Sequence, residues 1–150
     1  MPLFRTLIAV TLIRPHRIVR LLALLAVSVL IALLFYLGQK PMASGFVKAP
    51  WDKLMHLGVY GGLAVLFWIV SGARSVSLVL ASVAVVGFLD EFVQLYTPGR
   101  QAGFGDWLAD MIGAGLALAM IRLISGWATR TGPDASTPSK LPIGPAGHGL

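Results

Sequence analysis

The sequence predicts an all-α polytopic membrane protein: an antiparallel bundle of four transmembrane helices preceded by an interfacial segment. Three observations carry that prediction. Hydrophobic residues make up 57% of the 150-residue chain and charged residues 12%, where an ordinary soluble domain carries about 25% charged residues. Mean hydropathy is +0.82, so a water-facing surface is hard to assemble and the bilayer is the simpler solvent. Finally, four apolar stretches each approach the roughly 20 residues that a helix needs to cross about 30 Å of hydrocarbon.

The elements follow in order. Residues Leu3 to Ile13 are apolar but too short to span, and Arg5 interrupts them, which reads as an interfacial amphipathic helix. The first span runs from about Ile18 to Leu37. Its apolar core is longer than that of a signal peptide, and Pro41-Met42-Ala43 is a poor cleavage site, so the segment is read as retained. The second span covers about Asp52 to Val70, the third about Ser75 to Tyr96, and the fourth about Asp106 to Ile124. The joints Gly38 to Pro50, Ser71 to Arg74 and Thr97 to Gly105 are short and polar, which makes successive helices antiparallel neighbours. From Arg130 onward the chain is rich in Pro, Gly and Ser and is expected to be disordered. The domain division is therefore 1–17 interfacial, 18–127 transmembrane and 128–150 tail.

Charge sets the orientation. With the N-terminus inside, the cytoplasmic side holds Arg5, Arg14, Arg17, Arg20, Arg74, Arg122, Arg130 and Lys140, against Lys40, Lys48, Lys53 and Arg100 outside. Eight against four places both termini in the cytoplasm, with the protein in the bacterial inner membrane. Trp51 and Trp68 are 17 residues apart, and Trp107 and Trp127 are 20 apart. Those separations rise roughly 26 and 30 Å, the spacing of two aromatic belts. The net charge of +6 is spread along span ends, which argues for topology and against nucleic acid as a partner. Without cysteine, disulfides, thiol catalysis and thiolate metal ligation are excluded.

Five of the six acidic residues fall in three patches: Asp52, then Asp90 and Glu91, then Asp106 and Asp110. The second and fourth helices start outside and the third ends there, so the topology gathers all three patches at one outer pocket. Asp52 and His56, Asp90 and Gln94, and Asp106 and Asp110 are each four apart, hence on shared helix faces. Gly87, Gly113 and Ala117 continue two of these stripes, and Gly58 with Gly62 forms a small-xxx-small pair expected to permit close helix approach. Asp52 and Asp106, at helix starts, are expected to act mainly as N-caps. Asp90 lies roughly 22 Å along the third helix from Ser75, about 8 Å inside the outer hydrocarbon boundary. Two carboxylates at that depth need partners, protons or water, and ionisable groups so placed are functional by default. Lys53, His56 and Arg100 are the available cationic partners. The imbalance that remains calls for protonated carboxyls, a bound cation, or both. No cofactor is expected; if a divalent cation binds, its candidate ligands are His56, Asp90 and Glu91, with Mg²⁺ or Mn²⁺ ahead of zinc.

Asp52-Lys53-xx-His56, then Asp90-Glu91-xx-Gln94 with Pro98-Gly99-Arg100, then Asp106 and Asp110 before Gly113 together resemble the VanZ-like family of bacterial membrane proteins. The resemblance covers about residues 50–120. It implies that Asp52, Lys53, His56, Asp90, Glu91, Gln94, Arg100 and Asp106 are signature positions; Asp110 stands where the family commonly has Asn. It also implies a cell-envelope role in antibiotic resistance of the teicoplanin type. An acyl-transferase label attached to some members finds no support, because the chain has no Gly-rich phosphate loop.

Two functions compete on this reading. In the first, the outer pocket, built from Asp52, Lys53, His56, Asp90, Glu91, Gln94, Arg100, Asp106 and Asp110, binds a lipid headgroup, cell-wall precursor or glycopeptide-type antibiotic. In the second, a membrane-embedded enzyme acts on a lipid-linked envelope substrate, with His56 as acid or base oriented by Asp52 and with Asp90 or Glu91 activating water. A proton-coupled transporter is the weakest reading, since four helices make a small carrier. The sequence leaves the oligomeric state open.

Overall fold

A computed structural model describes residues 7–40, 51–98 and 102–130. Four long helices form the bundle: α1 (Arg17–Gly38), α2 (Trp51–Val70), α3 (Val76–Gln94) and α4 (Phe104–Arg130). Each is long and apolar enough to cross a membrane. Ahead of α1 a π-helical turn spans Ala9–Ile13, where an interfacial helix was expected. Trp68 donates its indole N–H to the Leu12 carbonyl at 2.9 Å, tying this turn to α2. The tail expected to be disordered lies outside the described residues from 131 onward, and α4 itself runs past residue 127 to Arg130.

Successive helices run antiparallel, as the short joints require, yet the most extensive packing is between α2 and α4, which run parallel. Small residues explain this. A Cβ on Gly61 would sit 3.2 Å from the Gly113 carbonyl oxygen, and one on Gly113 would run into the Leu57 backbone. The expected pair, Gly58 and Gly62, is exposed and has open space beside it. At about 100° per residue, the inward face of α2 is set by His56, Tyr60, Leu63 and Ala64, which turns Gly58 and Gly62 outward.

Below the polar end the core is apolar, with Val27, Tyr60, Leu63, Val79, Val83, Ala114, Leu118 and Ile121 buried together. Outward faces carry Leu21, Leu25, Val85, Phe88, Leu116 and Leu123, all exposed. This inversion of an aqueous surface suits contact with lipid chains. The turn between α2 and α3 is closed by polar contacts: Gly72 and Ala73 both have positive φ, and Arg20 donates Nε–H to the Val70 carbonyl at 3.0 Å. A guanidinium there meets the negative end of the α2 dipole. Ser75 caps α3 by accepting from the Leu78 N–H at 3.1 Å.

Candidate functional site

The site forms at the end of the bundle where α2 and α4 begin and α3 finishes. Asp90, Glu91, Gln94 and Asp110 are all buried there. Asp110 is the deepest, fully enclosed, and holds His56: its Oδ1 lies 2.9 Å from His56 Nδ1. With Nδ1 protonated, the imidazole donates to Asp110 and leaves Nε2 as its open lone pair. The carboxylate that orients His56 is therefore Asp110 of α4 and not Asp52, one turn back on the same helix. Packing of parallel helices through Gly61 and Gly113 brings Asp110 to His56. Asp52 stays at the start of α2, accepting from the Lys53 backbone N–H at 2.8 Å.

Asp106 also departs from the capping role. Helix α4 begins two residues earlier, at Phe104, so the Asp106 carboxylate reaches across to Lys53, whose Nζ lies 2.7 Å from Oδ1. Asp90 accepts from the Tyr60 hydroxyl and from Gln94 Nε2, each at 3.2 Å. The end of α1 backs onto it, since a Cβ on Gly38 would be 3.5 Å from Asp90 Oδ1. Glu91 points toward the loop before α4 and accepts from the Gly103 N–H through Oε2 at 2.7 Å. Among the described residues, two buried side-chain oxygens have no hydrogen-bond partner: Glu91 Oε1 and Asp110 Oδ2. An unsatisfied buried acceptor normally costs about 1–3 kcal/mol, so each of these two calls for a proton, a water or an ion as its partner.

Gly87 is required by this arrangement. A Cβ there would lie 2.8 Å from Asp110 Oδ2 and 3.3 Å from Trp107. Trp107 uses the space to donate its indole N–H to the Ala84 carbonyl at 3.2 Å, linking α4 to α3. Thus Trp107 acts inside the bundle, while Trp51 and Trp127 are exposed as belt residues are. Arg100 lies outside the described residues.

Sequence reasoning missed two parts of the site. Tyr60 stacks on His56 with ring centroids 5.9 Å apart and planes 3° from parallel. Its signal was available, because Tyr60 continues the Asp52–His56 stripe at the same spacing of four. The second is an apolar groove of about 510 Å³ between α3 and α4, walled by Phe88, Phe92, Leu95, Phe104 and Trp107. It reaches Glu91 and Gly103 at its polar end. Phe88, Phe92, Leu95 and Phe104 are exposed on the lipid-facing side, where sequence alone cannot tell a groove from a ridge.

Among the expected metal ligands, His56 and Glu91 come together, but Asp90 is turned to Tyr60 and Gln94. Asp106 takes the third place, and ligand-type atoms of His56, Glu91 and Asp106 all lie within 4.8 Å of one another.

The VanZ/LLP1 family model matches residues 4–125, most of the chain and every described element of the site. The chain belongs to the VanZ/LLP1 family. No curated protein and no solved structure matches it. In this member of the family, the matched region joins four membrane-crossing helices to one buried polar cluster.

Proposed function

We propose that this VanZ/LLP1 protein binds an amphiphilic envelope molecule, a lipid headgroup or cell-wall precursor with its chain or a lipid-anchored glycopeptide antibiotic. The polar end would meet the Lys53, His56, Glu91 and Asp106 cluster, and the chain would lie in the groove beside Phe88 and Phe92. The observation that carries this reading is the continuity of the two: Glu91 belongs both to the groove wall and to the polar cluster. A volume of this size falls in the range of small-molecule pockets, about 300–1,000 Å³. Charge distribution supports a cluster that faces outward from the bacterial inner membrane with both termini in the cytoplasm. Bound there, the protein lowers access of lipoglycopeptides to the surface and contributes to resistance.

The test is surface binding of a fluorescent lipoglycopeptide to cells with and without the gene. Deletion should raise binding, and complementation by a Phe92→Ala/Phe104→Ala variant should fail to restore the wild-type level. Equal binding and equal susceptibility in all strains would remove this assignment.

The His56–Asp110 pair favours a second reading, acid–base catalysis on a lipid-linked substrate. A buried carboxylate that fixes the tautomer of a half-buried histidine leaves Nε2 ready to take or give a proton. Purified protein should then convert a pool of labelled envelope lipids while His56→Ala does not; equal turnover by both would sink the catalytic role.

A further inference from the structure

We propose that His56, Glu91 and Asp106 form a binding site for one divalent transition-metal ion, with Mn²⁺ the best fit to the donor set. The three residues come from three different helices or helix ends: His56 from the second turn of α2, Glu91 from the last turn of α3, and Asp106 from the first turn of α4. Each offers a ligand-type atom within 4.8 Å of the other two, a spacing that modest side-chain shifts would close around a single ion at bond lengths near 2.0–2.2 Å.

What points to a ligand is the Glu91 side chain. The residue is 9% exposed, and its Oε1 is sealed from solvent with no hydrogen-bond partner among the described residues. Its other oxygen is already held by the Gly103 N–H, so the carboxylate is fixed in place with one oxygen unmatched. Asp106 is only partly buried, and Lys53 holds its Oδ1, so Oδ2 is the oxygen it can offer. A metal ion supplies the positive charge that an enclosed carboxylate oxygen lacks.

His56 adds the orientation. Its Nδ1 is committed to Asp110, which leaves Nε2 for a metal. A ligating histidine commonly donates its other N–H to a carboxylate, which fixes the ring and raises its basicity. Asp110, fully buried and facing His56, is that carboxylate.

The donor set selects the ion. Carboxylates favour Mg²⁺, Ca²⁺ and Mn²⁺, and imidazole favours the transition metals. Two carboxylates with one imidazole meet both preferences in Mn²⁺. Three protein ligands leave further positions for water or for oxygens of a bound molecule.

The experiment uses the full chain, purified in detergent, stripped with a chelator and titrated with Mn²⁺ alone. Loss of the free-ion signal in electron paramagnetic resonance should show one Mn²⁺ bound per chain. Glu91→Gln and Asp106→Asn should each weaken binding at least roughly tenfold, the lower end of what even outer-shell changes produce, while keeping the helical content of the metal-free wild type and a thermal transition no lower than its own. Electron spin-echo modulation should detect a directly bound ¹⁴N that His56→Gln removes. If one carboxylate variant does not fold, the other and the ¹⁴N signal still decide. No stoichiometric binding, unchanged affinity in the folded variants, or bound Mn²⁺ without ¹⁴N coupling would overturn the site.

Discussion

Asp110 and Glu91 each carry a buried oxygen without a hydrogen-bond partner among the described residues, and that shared feature sets the behaviour of single residues around them. Glu91→Gln removes a buried charge and retains an amide oxygen to accept from the Gly103 N–H. Its stability in detergent should therefore equal or exceed wild type, by up to roughly 1–2 kcal/mol if the charge was uncompensated, while ligand binding falls. Denaturant unfolding beside a binding assay checks both halves, and a large loss of stability would contradict the argument. Gly87→Ala should act in the opposite way. Its Cβ would press on Asp110 and Trp107 together, and overpacking of this kind costs about 1–3 kcal/mol. Gly58→Ala, into open space, should be neutral or stabilising by about 0.5–1 kcal/mol through helix propensity. Much of the site was legible at this scale, because spacing of four put His56 and Asp106 on the stripes of their helices and the topology brought the Asp90–Glu91 patch to the same end. The His56–Asp110 bond was not, since it depends on the relative register of α2 and α4, which no local pattern specifies. Without that register Asp110 reads as surplus charge; with it, Asp110 is the anchor of the histidine.

Helix ends and contact faces govern what the elements do. The four spans were readable to within about two residues at most ends, as apolar length alone demands. The start of α4 at Phe104 shifted Asp106 from a capping position to one facing Lys53, a change of role caused by two residues. The close pair was misread for a similar reason: Gly58 and Gly62 have the right spacing, but the face of α2 is decided by its large inward residues. Gly113 is accordingly the sensitive position. Gly113→Ala should destabilise the bundle by about 2–3 kcal/mol, because the obstructing atoms belong to the Leu57 backbone, which yields less than a side chain. The α2–α3 turn makes the converse test. Ala73 is held at φ +61°, a conformation that costs an L-residue roughly 1–2 kcal/mol. Ala73→Gly should raise stability by about 1 kcal/mol in thermal unfolding, and a fall would show that the turn is not strained as its dihedral indicates.

Four crossings are what turn scattered residues into one site. An even number of passes between Asp52 and Asp106 returns the chain to the same end, and α3 delivers Asp90 and Glu91 there from the opposite direction. This much follows from hydrophobic length, and the described helices agree with it. Which side of the membrane that end faces rests on a separate force, the bias of Lys and Arg toward the cytoplasm. The two ends can be told apart directly because the chain has no native cysteine. Gln39 is exposed just beyond α1, at the end that holds the site, and Ser77 is exposed at the start of α3, at the other. A Gln39→Cys variant should react with a membrane-impermeant maleimide applied to intact cells. A Ser77→Cys variant should react only in inverted membrane vesicles. The reverse pattern would turn the cluster and its groove toward the cytoplasm. Any amphiphile taken up beside Phe92 would then have to come from the inner leaflet, and an effect on external lipoglycopeptides could no longer arise from direct binding.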